Sequence, residues 1–343
     1  MRRQTVTLKD VARAANVSPS TASEALSGGG RMTAATRESV VRAAQVLNYR
    51  PNAVARGLRT GQLKSIAVHH VHSGDRFASD YFRDFVTGVL DGTQADDYDL
   101  TLLNSNPQVP RNRVPRVDGV IIADPIADDL RAHELLNSGL PVVAGENLPP
   151  GMPACPVVAA DHGSALREIL DHALTRGVRR PALLGPDANS GWGEVLRAEF
   201  TAWCAAHGLR GATRRSRFGN PSVPEHEAQV DELLTAEPGT DLLIVSSEPI
   251  ALGALAALRT HGRSPGTDVL LACCAESRVL SATSPAITGV DMRPRELGRE
   301  CARLLIRMLG AADDGDGGDA PPAGPVTLPT TIHWRASTGP RDA

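Results

Sequence analysis

Lysine is almost missing from this 343-residue chain: Lys9 and Lys64 are the only two among 36 basic side chains. Arginine carries the rest of the positive charge, which fits a GC-rich genome better than a demand for guanidinium chemistry at every site. Aromatic residues make up only 3 %, so the core has to be aliphatic, built on Ala, Val and Leu. The five cysteines (Cys155, Cys204, Cys273, Cys274, Cys301) are odd in number and show no C-x-x-C spacing. That argues against a disulfide framework and predicts reduced core thiols in a cytosolic protein. No apolar run reaches the length of a membrane span. Met1 to Thr5 is not followed by an apolar stretch of the secretory kind, which predicts a soluble, cytoplasmic chain.

Catalytic signatures are scarce as well. No P-loop and no Ser/His/Asp spacing stands out, so an enzyme is not expected. Gly191-Trp192-Gly193 has part of a dinucleotide fingerprint but lacks its third glycine and acidic partner. His69, His70 and His72 lie at a strand end without a nearby cysteine, which reads as a polar strand exit rather than a metal site. Neither a metal nor a cofactor is expected. Cys273 and Cys274 read as buried strand residues. Asp313 to Asp319, interleaved with glycine and followed by prolines, reads as a disordered acidic loop.

What is present is a charge asymmetry. Residues 1–62 hold ten basic side chains and three acids (Asp10, Glu24, Glu38), a net of +7; the whole chain is −3, which leaves −10 for residues 63–343. A small basic head on an acidic body is the pattern of phosphate binding by one end. The body is repelled by nucleic acid.

Helix signals organise the head. Thr7-Leu8-Lys9-Asp10 reads as a capped start, with Thr7 as N-cap and Asp10 at N3, and Val11, Ala12 and Ala15 give one apolar face. Asn16-Val17 interrupts the run. Ser18 can cap a second helix, about Pro19 to Leu26, with Pro19 at its first position. That helix buries Ala22 and Leu26 and presents Ser20, Thr21, Ser23 and Glu24. A third helix, from a Thr33 cap to about Asn48, turns Val40, Ala43, Ala44 and Leu47 inward. Two short helices joined by a tight turn and braced by a third make a helix-turn-helix unit, whose second helix enters the major groove.

The run TLKDVARAANVSPSTASEAL, followed by TRESVVRAAQVLNYRPNAVARGLRTG, closely resembles the head of the lactose-repressor (LacI/GalR) family. The resemblance implies a DNA-binding surface comprising Thr7, Ser18, Pro19, Ser20, Thr21, Ser23, Glu24, Arg31, Thr36 and Tyr49. It also implies a hinge helix from Asn52 to Arg59 that orders on operator DNA, with Asn52, Ala55 and Arg56 at the DNA and Leu58 wedged into the minor groove. Such a helix is too short to be stable alone, which suits an order–disorder switch. One departure stands out. Relatives usually carry arginine at the place of Glu24, where it would read guanine; glutamate can only accept, so it favours cytosine N4 and is repelled by phosphates. An atypical operator half-site is expected, unless Glu24 simply points to solvent.

Beyond the hinge, β-branched runs alternate with helical stretches. Candidate strands are 65–71, 100–103, 119–123, 141–144, 156–159, 182–185, 242–246, 269–273 and 287–290; Ser164–Thr175 and Ile250–Thr260 carry helical periods. Such alternation predicts doubly wound parallel sheets with ligands at the carboxyl ends of strands. The length suits two lobes with a cleft between them. Family resemblance extends here more loosely, through the segment at Asp161, through SEPIALGALAALRTHG and PAITGVDMRPRELGRECARLLIRML, and through VTLPTTIHWRAST as the closing strand. It implies an α/β protein with an all-α helix-turn-helix head on a two-lobed, periplasmic-binding-protein-like body. The expected organisation is 1–50 for DNA binding, 51–63 for the hinge and 64–343 for effector binding and dimerisation.

The effector positions depart from the family. Asn-Asp becomes Ser247-Glu248, an aspartate pair becomes Ala275-Glu276, and the arginine expected four residues before Phe200 is Leu196, with Arg197 adjacent. The location of the pocket carries over; the ligand does not. Candidates are Phe77, Tyr81, Phe82, Asp124, Asp161, Trp192, Arg197, Glu248 and Glu276, with Trp192 either stacked on a ligand or structural. Three prolines in residues 107–115 exclude a regular helix there and predict a thinner first lobe on that side. The expectation is a homodimeric repressor on a palindromic operator, controlled by a small molecule such as a sugar, acting as inducer or corepressor. The alternatives are an effector-independent DNA-binding regulator and a cytosolic solute-binding module.

Overall fold

A computed structural model describes residues 6–26, 29, 31–49, 62–71, 79–104, 114–186, 189–216, 222–314 and 324–339. The hinge candidates Asn52, Ala55, Arg56 and Leu58, the effector candidate Phe77, His72, most of the proline-rich run and the acidic loop beyond Asp314 lie outside those residues. The chain divides into two units, Met1–Leu63 and Lys64–Ala343.

The first unit holds α1 (Leu8–Ala14), α2 (Pro19–Leu26) and α3 (Ala34–Val46). Its core is made of small side chains: Val11, Ala12, Ala22, Ala25, Val40 and Ala44 are buried, and Leu8, Leu26, Leu47 and Tyr49 close over them. Alanine at the helix contacts lets the three backbones approach closely. The periodicity places Leu26 inside; Ala25 takes that place and Leu26 is only partly covered.

The second unit is built from two six-stranded sheets. The first contains β1 (Ser65–His69), β2 (Asp99–Leu102), β3 (Gly119–Ala123), β4 (Val142–Gly145), β5 (Val157–Ala160) and β11 (Val326–Leu328) in the order β11-β5-β4-β3-β1-β2, all parallel. The second contains β6 (Pro181–Pro186), β7 (Ala212–Ser216), β8 (Leu242–Val245), β9 (Leu270–Cys273), β10 (Thr288–Asp291) and β12 (Thr331–His333) in the order β12-β10-β9-β8-β6-β7. It is parallel except for the short β12, which runs antiparallel to β10. Every residue of β3 and β8 is buried, as central strands with helices on both faces require. The helices between the strands are α4 (Asp80–Thr93), α5 (Leu130–Leu136), α6 (His162–Thr175), α7 (Gly191–Ala206), α8 (Val223–Ala236), α9 (Glu248–Thr260), α10 (Arg278–Ala282) and α11 (Pro294–Asp314).

All nine strands expected from the β-branched runs form. The edge strand β7 was not among them, and the closing segment is two strands rather than one. Val326–Leu328 joins the first sheet and Thr331–His333 the second, because Pro329-Thr330 carries the chain from one lobe to the other. The lobes are joined here, at Asp161 between β5 and α6, and between β10 and α11, which packs back onto α4. Asp161 N–H donates to Leu328 O at 2.9 Å, tying two of these connections together. Gly88 sits where α4 meets α11, and a β-carbon there would collide with the Arg295 carbonyl. Helix α11 continues to Asp314, so the first two aspartates of the acidic run belong to its last turn.

Candidate DNA-binding face and interlobe site

Local chemistry sets each helix of the head. The Asp10 carboxylate accepts from Thr7 N–H at 3.0 Å and Thr7 Oγ1 at 2.7 Å, and these bonds hold its carboxyl below the usual carboxylate range. Asn16 takes a left-handed φ of 54°, which asparagine tolerates, and turns the chain between α1 and α2. Ser18 Oγ then accepts from Thr21 N–H at 3.1 Å and lies 2.7 Å from Ser20 Oγ and 2.8 Å from Thr21 Oγ1. Thr33 caps α3, accepting from Thr36 N–H at 3.2 Å.

With Ala22 and Ala25 turned inward, α2 leaves Pro19, Ser20 and Glu24 exposed and Thr21 and Ser23 half-buried. Thr7, Ser18 and Arg31 are exposed too; Thr36 and Tyr49 are half-buried, Thr36 in the α3 cap and Tyr49 over the head core. One residue that helical periodicity does not single out is Arg37. Its guanidinium donates to Ala25 O at 3.3 Å and Gly29 O at 3.1 Å, closing the carboxyl end of α2.

In the body, the carboxyl ends of β1, β3, β4 and β5 bring His70, Asp124, Glu146 and Asp161 together. Asp124 and Glu146 leave their strands with φ of 46° and 96°, although their N–H groups still donate to Gly145 O and Val158 O. A glutamate at positive φ is strained by about 1–3 kcal/mol and persists only where its surroundings over-determine it. Here they do: the buried Glu146 carboxylate accepts from His162 Nε2 at 2.8 Å and from Ala160 N–H at 3.4 Å. Burial alone would lower the His162 pKa; the Glu146 charge and hydrogen bond outweigh it, and the imidazole sits above its ordinary value. Trp192, from the second lobe, stacks on that imidazole at 5.6 Å between centroids. Asp124 receives the Tyr81 hydroxyl at 3.5 Å and lies 3.6 Å from His70 Nε2. Burial, reinforced by the Asp124 charge, pushes the Tyr81 phenol well above its usual range.

The other candidates have definite surroundings. Phe82 is buried with its ring edge-on to His70 at 5.1 Å. Asp161 caps α6, accepting from Ser164 N–H at 3.0 Å. Leu196 is core, and Arg197 donates to Pro186 O at 2.7 Å and Glu194 at 2.5 Å. Glu248 opens α9, half-buried. Glu276 is gripped by both terminal nitrogens of Arg335 at 2.9 Å each.

A strap joins the lobes at this site. Ala127 N–H donates to Asn189 O at 2.7 Å, Asn189 Nδ2 reaches Asp128 at 3.0 Å, and Ile126 pairs with Ser190. Any side chain on Gly191 would strike the Asn147 carbonyl. His69 Nε2 is 2.7 Å from Asp129, which also caps α5 through Arg131 and Ala132 N–H, so this histidine anchors the strap loop. Among the described residues, no cluster of histidine, cysteine and carboxylate side chains could hold a metal ion, and no helix is long and apolar enough to cross a membrane. The cysteines there are free, and burial pushes the Cys274 thiol up to about 12.

Residues 7–52 match the model of the bacterial regulatory proteins of the lacI family, and residues 170–338 match a periplasmic binding protein-like domain. The HTH-type transcriptional regulator CelR of Thermobifida fusca is 30 % identical over 315 residues, covering 89 % of this chain and 92 % of its own. The chain belongs to the LacI family. It is accordingly a DNA-binding transcriptional regulator with an effector-binding body, and not an enzyme. Another relative, catabolite control protein A of Staphylococcus xylosus, is 27 % identical and covers 97 % of this chain and 99 % of its own. Two solved structures share the fold: a CelR–cellobiose complex (TM-score 0.70, 24 % identity, 97 % and 99 % of the two chains) and the lac repressor dimer bound to operator and the anti-inducer ONPF (0.78, 22 %, 98 % and 100 %).

Within this LacI-family body, Glu146, His162 and Arg335 were not singled out from sequence. The signal for Glu146 is a charged residue directly following the buried run Val142–Gly145, the place where open α/β sheets bind ligands.

Proposed function

We propose that the chain is a homodimeric repressor that binds a palindromic operator and is controlled by a small molecule, a sugar or related metabolite, held between the lobes. The observation that carries this reading is the capped head: α2 turns Pro19 and the polar Ser20 and Glu24 outward from a +7 segment on a −10 body. Thr7, Ser18, Thr21, Ser23, Arg31, Thr36 and Tyr49 complete the assigned DNA face, and Asn52, Ala55, Arg56 and Leu58 are assigned to the minor groove. In this division residues 1–50 bind DNA, 51–63 form the hinge, and 64–343 bind effector and dimerise. The relatives bound to cellobiose and to ONPF support a sugar, and the convergence of Tyr81, Asp124, Asp161 and Trp192 at strand ends supports the location. Phe77, Phe82, Arg197, Glu248 and Glu276 belong to the same proposed site. A ligand acts only through unequal affinity for the DNA-competent and incompetent states.

Effector-independent regulation has one observation in its favour: Glu276 and Glu146 are already paired, with Arg335 and His162. Operator selection with the purified protein at defined salt tests the DNA reading, and failure to enrich any palindrome overturns it. Thermal unfolding across sugars and nucleosides separates the two forms of control. A stabilising ligand supports the sensor, and silence across the panel supports the effector-independent form.

A further inference from the structure

The outward face of α2 has an unusual charge. Its eight residues, Pro19 to Leu26, contain no lysine or arginine, and Glu24 is the one charged side chain. Ser20 and Glu24 are exposed and one turn apart, so they share a face, while Ser18 Oγ bonds to the hydroxyls of both Ser20 and Thr21 at the amino end. Cations sit elsewhere on the head: Lys9 and Arg13 on α1, Arg31 before α3 and Arg42 on α3 are exposed. Arg37, which reaches α2 from α3, is turned onto the carbonyls of Ala25 and Gly29. The exposed cations and the outward face of α2 therefore belong to different elements.

A carboxylate can only accept hydrogen bonds. In the major groove guanine offers two acceptors, and thymine an acceptor beside a methyl group. Adenine offers a donor next to the N7 acceptor, whose lone pair opposes a carboxylate. Cytosine alone presents its N4 donor without an acceptor on the same base. A bidentate cationic contact to guanine from this helix is excluded in turn, because α2 has no cation to make it.

We infer that Glu24 reads cytosine through its N4 amino group, so that each operator half-site carries a cytosine at the position facing the last turn of α2. This inference rests on the proposed operator binding and names the base that this face selects.

The test is parallel operator selection with the full-length wild-type protein and the E24A, E24Q and E24R variants at one salt concentration. Unchanged thermal unfolding checks that each variant is folded, as expected for an exposed position. Wild type is expected to prefer cytosine at one position per half-site on the order of ten-fold. That preference falls to near unity in E24A, moves to adenine in E24Q, whose amide can pair with N6 and N7, and moves to guanine in E24R. Other positions stay as they were. The same motif from E24A and wild type overturns the assignment while leaving operator binding standing. A wild-type selection without any palindrome overturns the operator reading itself.

Discussion

Glu146 directly follows β4 at a φ that glutamate disfavours, and His162 begins α6 just after the chain has left β5; their 2.8 Å hydrogen bond ties the exit of β4 to the start of α6. Replacing Glu146 by alanine leaves the imidazole buried without its partner and keeps the strained φ, at an expected cost of about 1–3 kcal/mol in urea unfolding. The pH dependence follows from the direction of the His162 shift. A histidine whose folded pKa is raised above its unfolded value of 6.5 contributes stability in full below that value and loses it as pH rises through the folded pKa. Wild-type stability should therefore carry a falling component on the alkaline side of pH 6.5. The His162→Asn variant keeps a donor for Glu146 but cannot titrate, so its unfolding midpoint should lack that component. An identical pH slope in the two proteins would count against the pair. Asp124 and Asp161, whose charges also raise the histidine's pKa, remain in both.

At the scale of elements, the strap between the 126–128 loop and the start of α7 is an exacting contact. Gly191 lies where only a hydrogen fits against the Asn147 carbonyl, so Gly191→Val has to push the start of α7 off the 147–148 segment, and with it Asn189 and Ser190 off the 126–128 loop. Crowding of this kind costs roughly 1–3 kcal/mol. Its local readout is the Ala127 amide, which donates to Asn189 O, and its hydrogen exchange should speed up by about ten- to a hundred-fold. No change at Ala127 would show that the strap does not depend on this approach. In the head, Ser18→Ala removes the acceptor for Thr21 N–H and should destabilise α2 by about 1 kcal/mol, seen as a lowered unfolding midpoint of the first unit. The caps at Thr7, Ser18 and Thr33 are local, so the three helices of the head can be read from neighbouring residues. The central strands Leu242–Val245 and Gly119–Ala123 are continuous apolar stretches and are equally plain. Ala212–Ser216 is not, because an edge strand can expose Arg214 and Arg215 and needs little apolar sequence. The split at Pro329 and the Glu146–His162 pair depend on where distant segments meet, which no window of sequence contains.

For the whole molecule, the governing quantity is the opposition of a +7 head to a −10 body. Net charge favours the head for phosphate contact, and each neutralised phosphate releases condensed counterions, so affinity for DNA falls with salt at a slope of about −0.9 per contact on a logarithmic scale. Lys9, Arg13, Arg31 and Arg42 are exposed on each head. If these four make the contacts in the proposed homodimer, two heads give a slope of about −7. Arg42→Ala then removes one contact per head and should reduce the slope by about 2, weakening all sequences alike. Glu24→Gln should behave in the opposite way, changing which half-site is preferred while leaving the slope nearly unchanged, because a base contact releases no counterion. Fluorescence anisotropy titrations of operator and scrambled DNA over a series of salt concentrations measure both quantities. A slope unaffected by Arg42→Ala would show that α3 does not meet the phosphates, and would move the charge contacts to α1 and the residues before α3.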